Sequence, residues 1–354
     1  TLSGANTYGG ATTVNGGTLV LTSTGTLGNT SSLLTLSSAT LDLRTNALTV
    51  GSLIMNGTSP AITNSTGTSS LTVTGTSTLA NAITTSGAQT YTGAVTLGAD
   101  TSLTSTSSGN LLFSSTVSGA YSLSTSTAGN TTFSGTVGGT PLTGLTITTA
   151  QLTAGAIALA TTGTPALSIT NSSTGSITGI ISGTSATLTK AGAGTLTLSG
   201  ANTYGGATTV NGGTLALTST GTLGNTVSRL TLSSGSLDLQ SRAQTVGSLV
   251  MNGTSPAITN STGTSSLTVT GTSTLANAIT TSGAQTYTGA VTLGADTSLT
   301  STSSGNLLFS STVSGAYSLS TSTAGNTTFS GTVGGTPLTG LTITTAQLTA
   351  GAIA

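Results

Sequence analysis

Few side chains in this sequence are able to do acid–base chemistry. It has four aspartates, three arginines and one lysine, and it lacks glutamate, histidine, cysteine and tryptophan. Glycan-cleaving enzymes need clustered acids beside cations, as general acid and base or as calcium ligands. The aspartates are Asp42 and Asp100, with counterparts Asp238 and Asp296 one repeat later. Because Asp42 and Asp100 lie several predicted coils apart, we do not expect them to meet, and the sequence predicts no catalytic residue and no enzyme.

The other charged side chains favour structural interpretations. Asp42 and Arg44 lie on the same side of one predicted strand, which favours a surface ion pair. The second copy has Gln240 in place of the arginine, so a role that needs both charges would be absent there. Lys190 is the only lysine. An isopeptide crosslink or a binding cation is one alternative for Lys190, and an ordinary solvated side chain leading into a turn is the favoured one.

The tyrosines are the remaining candidates for binding. They could stack on sugars as lectin platforms, but neighbouring Gly, Thr or Ala residues at strand boundaries favour anchoring of turns or capping of the core ends. The aspartate-rich nonapeptide of calcium-binding β-rolls is missing, and we predict no metal or cofactor. The six tyrosines are Tyr8, Tyr91, Tyr121, Tyr204, Tyr287 and Tyr317.

The composition excludes several classes of partner. Only 2% of the 354 residues are charged and the net charge is zero. Nucleic acids and anionic membrane surfaces require a basic patch that four cations cannot form. No run of about 18 apolar residues is present, so we expect no membrane insertion of this segment. The chain is also too hydrophobic for disorder through charge repulsion.

A large internal repeat organises the chain. The sequence TLSGANTY begins at Thr1 and again at Thr197, which gives a period of 196 residues. We therefore predict two domains, a first copy over 1–196 and an incomplete second copy over 197–354. The two copies share 158 positions and differ at ten of them, all between Val20 and Ile54.

These differences respect a strand-like alternation. Residues with the phase of Leu19 recur unchanged, whereas the other phase accepts changes such as Leu33 to Arg229. In a strand, one phase faces the core and the other faces solvent. Leu48, which is Gln244 in the second copy, breaks this pattern, and a bend before Val50 is our expectation there. The residues that we predict to face inward are Leu19, Leu21, Leu34, Leu36, Leu41, Leu43, Leu53 and Met55.

Short runs rich in Thr, Val, Leu and Ile alternate with Gly, Asn and Ser clusters, which predicts an all-β fold. A string of sandwich domains would need longer strands and bulky aromatic anchors. A β-solenoid needs only a thin column of stacked side chains. With coils of roughly 20 residues, one repeat would hold about ten coils and rise about 45 Å, and the chain would form an elongated rod.

The segment 188–215 reads LTKAGAGTLTLSGANTYGGATTVNGGTL. It resembles the autotransporter-associated, or passenger-associated, β-strand repeat. The same pattern recurs from Thr1, without the first residues that include the lysine. The resemblance implies a right-handed parallel β-helix, as in bacterial autotransporter passengers and giant surface adhesins. Residues 88–97 resemble looser repeats of filamentous-haemagglutinin-like proteins. One departure is that Tyr204 is followed directly by Gly205 and Gly206, where the family usually has Thr or Ser first.

Together these observations predict a non-enzymatic structural and adhesive segment of a long bacterial β-solenoid, a rod, fibre or matrix component at the cell surface or outside the cell. The expected partners are further copies end to end, as covalent repeats or a homopolymeric filament; host surfaces, abiotic surfaces and glycans are further alternatives. A different function is ligand binding, of ice or a glycan, by a flat threonine face. Steps such as Thr72-Val73-Thr74 and Thr76-Ser77-Thr78 would form that face.

Overall fold

The computed structural model describes residues 1–218 and 220–354. Within these residues all regular structure is β, and no helix is present. The chain divides into two compact units, residues 1–183 and residues 184–354, which are described separately. This division follows packing contacts, and the domain limits predicted from the repeat stay a prediction.

Each unit is a parallel β-solenoid in which every complete coil adds one strand to each of three faces. On the first face of unit 1, Leu34 pairs with Leu53, Leu53 with Ser77 and Ser77 with Val95, all in parallel. Each partner lies one coil further along the chain than the last. The predicted all-β solenoid with coils of about 20 residues is therefore confirmed.

Unit 1 has the following strands. Its first face contains β1 (Thr12–Val14), β3 (Leu33–Ser37), β6 (Ser52–Asn56), the first half of β9 (Ser77–Thr85), the first part of β11 (Val95–Ser105), β13 (Val117–Ser118), β16 (Val137–Leu142), β19 (Ile157–Leu159) and β22 (Ile181–Ser182). Its second face contains the remaining parts of β9 and β11 together with β2 (Gly17–Val20), β4 (Ala39–Asp42), β7 (Ala61–Thr63), β14 (Ser122–Thr127), β17 (Gly144–Thr149) and β20 (Ala166–Asn171). Its third face contains β5 (Ala47–Val50), β8 (Ser70–Val73), β10 (Gln89–Tyr91), β12 (Leu111–Phe113), β15 (Thr131–Phe133), β18 (Leu152–Ala154) and β21 (Gly175–Ile177).

Unit 2 repeats this arrangement. Its first face contains β23 (Thr187–Ala191), β25 (Thr208–Val210), β27 (Arg229–Leu232), β30 (Ser248–Met251), the first half of β33 (Ser273–Thr281), the first part of β35 (Val291–Ser301) and β37 (Val313–Ser314). Its second face contains the remaining parts of β33 and β35 together with β24 (Thr195–Leu198), β26 (Thr214–Leu217), β28 (Ser236–Asp238), β31 (Ala257–Thr259), β38 (Ser318–Thr323) and β40 (Gly340–Thr344). Its third face contains β29 (Ala243–Val246), β32 (Ser266–Val269), β34 (Gln285–Tyr287), β36 (Leu307–Phe309), β39 (Asn326–Phe329) and β41 (Gln347–Ala350).

The core of each unit is a column of inward-facing side chains. Seven of the eight residues predicted to face inward in the first copy are at most 1% exposed; the exception, Leu19, is half-buried. Its counterpart Leu215 is fully buried. Leu33 and Arg229, the most different pair, both lie on the outward phase. The predicted relation between repeat differences and burial holds at these positions. It is wrong at Ala39, which is 1% exposed and is Gly235 in the second copy, and at Ala216, the 3% exposed counterpart of Val20.

The expected bend before Val50 is wrong. Leu48 and Val50 lie in one regular strand and both are buried. Gln244, the counterpart of Leu48, is also buried at 4% exposure, and both polar atoms of its side-chain amide form hydrogen bonds. Its Oε1 accepts a hydrogen bond from the Leu223 amide at 3.1 Å, and its Nε2 donates to the Thr245 carbonyl at 2.8 Å. The interior tolerates glutamine here because its polar atoms have partners.

Several interior positions are polar without such compensation, and Thr125 is one of them. On the second face, Thr125 lies in the column between Leu103 and Ile147. Its side chain is 1% exposed, and its hydroxyl oxygen has no hydrogen-bond partner. Burial of an unpaired hydroxyl costs free energy, because the hydrogen bond to water is lost and not replaced.

We therefore predict that Thr125→Val stabilises the fold by about 1–2 kcal/mol, since valine has a similar shape and no hydroxyl. Urea unfolding of the wild type and the variant measures the difference. The outward-facing Thr148 on the adjacent strand supplies the control, and Thr148→Val should change stability by less than about 0.5 kcal/mol. Destabilisation by Thr125→Val would contradict the interpretation.

Candidate functional site

The buried tyrosines belong to the core and not to a sugar-binding platform. On the third face of unit 1, Tyr91, Phe113 and Phe133 occupy consecutive coils in register. Their rings stack with centroid distances of 5.2 and 4.6 Å and interplanar angles of 14° and 10°. Unit 2 repeats the stack with Tyr287, Phe309 and Phe329. Each stack fills the interior of three successive coils.

A buried hydrogen-bond network surrounds the first ring of this stack. The Tyr91 hydroxyl donates to Gln89 Oε1 at 3.0 Å. Gln89 Nε2 donates in turn to the Thr104 carbonyl at 2.9 Å, which ties the third face to the second. Burial raises the pKa of the Tyr91 phenol well above its usual value. Because both polar groups are paired inside, we assign them a structural role.

Tyr204 is also fully buried, and its hydroxyl shares a 2.7 Å hydrogen bond with Thr208. Burial raises the pKa of its phenol to about 12, although the Thr208 bond partly offsets the effect. Three tyrosines remain partly accessible, each at 41% exposure, namely Tyr8, Tyr121 and Tyr317. A platform for stacking on sugars is therefore excluded for half of the tyrosines.

The expected solvated position of Lys190 is wrong. Its side chain is 0% exposed. The ammonium Nζ donates to three backbone carbonyls, those of Ala191 at 2.7 Å, Gly192 at 3.0 Å and Gly212 at 3.2 Å. Lys190 lies on the inward phase of β23, and the neighbouring turns supply the acceptors that a buried ammonium needs. The ammonium group of Lys190 stabilises these turns from the interior of the coil, so it is a buried cation and not a surface one.

Burial lowers the pKa of Lys190 to about 8. Between that value and the unfolded pKa of about 10.4, the unfolded chain binds more protons, so stability rises with pH. We predict a gain of about 1.5 kcal/mol between pH 8 and 9.5. Above pH 10 the trend should reverse, because the buried tyrosines have raised pKa values and the unfolded state ionises first.

Urea unfolding of the wild type and of Lys190→Met across pH 7 to 10.5 tests this assignment. The methionine variant should lose the rise above pH 8 and keep the decline above pH 10. An identical pH profile for the two proteins would contradict a buried, titrating Lys190.

The predicted surface ion pair between Asp42 and Arg44 is correct only in part. Arg44 Nε lies 3.6 Å from Asp42 Oδ2, but the aspartate side chain is 9% exposed and the arginine 45%. The shorter contacts of Asp42 are with the next coil, where Ser65 donates its hydroxyl to Oδ2 at 2.6 Å and its amide to Oδ1 at 3.1 Å. Burial alone would raise the pKa of Asp42, but these bonds and Arg44 together lower it.

The second copy shows which partner matters. Asp238 keeps both bonds to Ser261, at 2.6 and 3.0 Å, although Gln240 replaces the arginine. We predict that Arg44→Gln changes stability by less than about 1 kcal/mol, as for exposed ion pairs. Asp42→Ala should cost about 2 kcal/mol, because amides of the turn lose their acceptor. Chemical denaturation measures both, and equal losses for the two variants would contradict this ranking.

The remaining two aspartates, Asp100 and Asp296, each lie at an outward corner of their own unit. Between Leu97 and Thr101, β11 has three residues opposite a single residue of β9. The extra residues place Asp100 at the surface, where its Oδ1 accepts the Ser122 amide at 2.8 Å. The corresponding Asp296 accepts the Ser318 amide at 2.9 Å. Hydrogen bonds from the Ser318 amide and hydroxyl lower the pKa of Asp296, so this carboxylate is charged at neutral pH.

Asp42 and Asp100 are not brought together. The strand of Asp42 pairs with β7, β7 with β9 and β9 with β11, so three coil steps separate them on the second face. At about 4.8 Å per step this is about 14 Å. Across residues 1–218 and 220–354, no group of three or more acidic, histidine or cysteine side chains is positioned to hold a metal ion.

The most regular polar surface also lies on the second face, and we call it the hydroxyl face. Its outward residues form two parallel columns in unit 1. One column contains Ser102, Ser124, Thr146 and Ser168, and the other contains Thr104, Ser126, Thr148 and Thr170. Unit 2 repeats the first three residues of both columns. The threonine steps proposed from the sequence form a shorter array, since the column through Thr72 and Thr90 is interrupted by Leu112.

Two segments, residues 1–21 and 188–217, match the family model of the passenger-associated-transport-repeat. The second match includes the buried lysine, the Tyr204 turn and strands β24, β25 and β26, all within the parallel solenoid. These two matches and the parallel solenoid fold match those of an autotransporter-passenger-like β-repeat protein. Comparison of this passenger-like chain with curated proteins and with solved structures finds no match. In the described part of the passenger-like chain, no helix is long and apolar enough to span a membrane.

Sequence reasoning missed two features of this passenger-like chain. The aromatic stack was signalled by the spacing of Tyr91, Phe113 and Phe133, which recur once per coil. The buried role of Lys190 was signalled by the alternation of β23, where Leu188 and Lys190 share one phase. In both cases the coil period or strand phase, and not the residue type, carried the information.

Proposed function

We propose that this chain is a non-enzymatic structural segment of a secreted or surface-exposed passenger, which extends and presents a surface outside the cell. The observation that carries the proposal is the passenger-associated repeat placed within a parallel solenoid. The dispersed aspartates, each used in hydrogen bonds to neighbouring coils, are consistent with a structural role.

Labelling of intact cells tests the surface location. An antiserum against the purified chain is applied to producing cells before and after permeabilisation, with a cytoplasmic protein as the lysis control. We expect labelling of intact cells, or of material shed from them. Labelling that requires permeabilisation would overturn the proposal.

We further propose that the solenoid continues through copies of itself, as covalent repeats or as a homopolymeric filament. The support is that each strand of a unit pairs with strands of the adjacent coils. A further copy could therefore add its first coil to the last coil of this chain by the same parallel pairing. Electron microscopy of native material should show long thin filaments. Isolated short particles would contradict this arrangement.

A second candidate function is ligand binding by the hydroxyl face, which has a two-column array of Ser and Thr in both units. Strand geometry spaces these columns at about 6.6 Å and the coils at about 4.8 Å. Ice or a glycan would each match such a repetitive surface. Thermal hysteresis of the purified chain tests for ice, with Thr146→Tyr as the disrupting variant, and its absence would exclude ice as the ligand.

A further inference from the structure

The hydroxyl face of each unit has one distinctive corner. In unit 1 an open depression of about 390 Å³ is lined by Asn81, Ala82, Asp100, Ser102, Ser122 and Ser124, among others. In unit 2 a depression of about 410 Å³ is lined by the corresponding residues, including Asn277, Asp296 and Ser318. We call these the corner sites.

The carboxylate of Asp100 forms one structural hydrogen bond, to the Ser122 amide, and keeps further acceptor capacity at the surface. Asp100 is exposed, and the Ser122 amide holds its Oδ1 in a fixed position. Asn81 has a positive φ of 60° and a half-buried side chain that lines the depression. A carboxylate acceptor therefore lies beside an amide that can both donate and accept.

The corner results from an irregularity that both units keep. Gly98–Asp100 oppose a single residue of β9, and the same three-to-one pairing occurs in unit 2 between Leu293 and Thr297. Such bulges re-aim side chains at surfaces. The bulge ends at Asp100, two residues before Ser102, which is the first residue of one hydroxyl column.

We infer that the corner sites bind a neutral, extended glycan. Asp100 and Asn81 offer the acceptor and donor pair that vicinal sugar hydroxyls require, and Ser102, Ser124 and Thr146 continue a polar track from coil to coil. The coil spacing of about 4.8 Å is close to the length of one sugar ring in an extended chain. This inference rests on the second candidate function, ligand binding by the hydroxyl face, and is independent of surface display.

The charge of the site selects against other ligands. Asp100 is the only charged residue that lines the unit 1 depression, and no cation lines it. An anionic glycan, a nucleic acid or a phosphate would be repelled by this carboxylate. Tyr121 directly precedes Ser122 and is 41% exposed, which provides an aromatic ring close in sequence to the site for contact with a sugar's C–H groups.

A glycan array with neutral and anionic polysaccharides tests the inference on the purified 354-residue chain. We expect binding to neutral extended glycans and none to heparin. The double variant Asp100→Asn and Asp296→Asn should weaken binding about tenfold or more, as for loss of a hydrogen bond to a charged group. Each single variant should retain the site of the other unit.

Asparagine keeps the shape of the side chain and an acceptor for the Ser122 amide, so the fold should survive, and an unchanged melting temperature checks this. Ser118→Ala, on the outward side of the first face, is the matched control and should bind normally. Absence of binding to every neutral glycan, or unchanged binding by the double variant, would overturn the inference. Either result would leave surface labelling of cells unaffected, so the two proposals fail separately.

Discussion

Phe113→Ala should lower the free energy of unfolding by about 3–5 kcal/mol. The ring is 0% exposed and is stacked on both sides, 5.2 Å from the Tyr91 ring and 4.6 Å from the Phe133 ring. Its removal loses the transfer free energy of the ring and leaves a cavity between two rigid aromatic neighbours. Chemical denaturation of the purified chain, followed by circular dichroism, measures the loss.

The repeat supplies internal controls for this experiment. Phe309→Ala should give a similar loss, because its ring is stacked at 5.2 and 4.7 Å in unit 2. Leu112→Ala alters the adjacent outward residue of the same strand and should cost less than about 1 kcal/mol. A loss below about 1 kcal/mol for Phe113→Ala would show that the aromatic stack is not a principal part of the core.

The second large effect concerns backbone packing at a turn. Gly51, Gly75 and Gly93 are stacked in consecutive coils, and the Gly75 amide donates to the Gly51 carbonyl. A Cβ atom on Gly93 would lie 2.3 Å from the Gly75 oxygen and 2.4 Å from its carbonyl carbon. Because these atoms belong to the backbone, relief requires separation of neighbouring coils. We expect Gly93→Ala to cost about 3 kcal/mol.

Gly155→Ala is the matched control, since a Cβ there would meet no atom within 4 Å. It should be neutral or stabilising by up to about 1 kcal/mol, because alanine restricts the unfolded chain. The same urea titration reports both variants. If Gly93→Ala were as stable as Gly155→Ala, close stacking of the turns would not be a constraint on this fold.

Most of the fold could be predicted from the sequence, because strand phase and repetition in a solenoid depend on residues that are close together in the chain. The 196-residue repeat and the short strand-like runs indicate a repeat architecture, and burial appears as strand phase. The exchange of Leu33 for Arg229 identified an outward position without any structural information. The family resemblance was carried by residues 188–215, and the family model matches nearly the same residues, 188–217.

The hydrogen-bond partners and the burial of individual polar side chains could be predicted less well from the sequence. Lysine usually lies at the surface, but three carbonyls of two turns enclose Lys190. The aspartate at position 42 was expected to depend on an arginine two residues away, whereas its closest partner is Ser65, 23 residues later. Such partners lie in the next coil, and their identity depends on the register between coils.

The sequence by itself determined that this chain is β, repetitive, nearly uncharged and packed through its Leu phase, because period and phase are properties of the chain alone. Only the tertiary structure decided that Lys190 is enclosed, that three aromatic rings stack, and that Asp100 stands at the edge of a hydroxyl face. The physical reason is that these features arise between coils. Residues one coil apart in the sequence become neighbours at about 4.8 Å, and bulges such as Gly98–Asp100 set which of them meet.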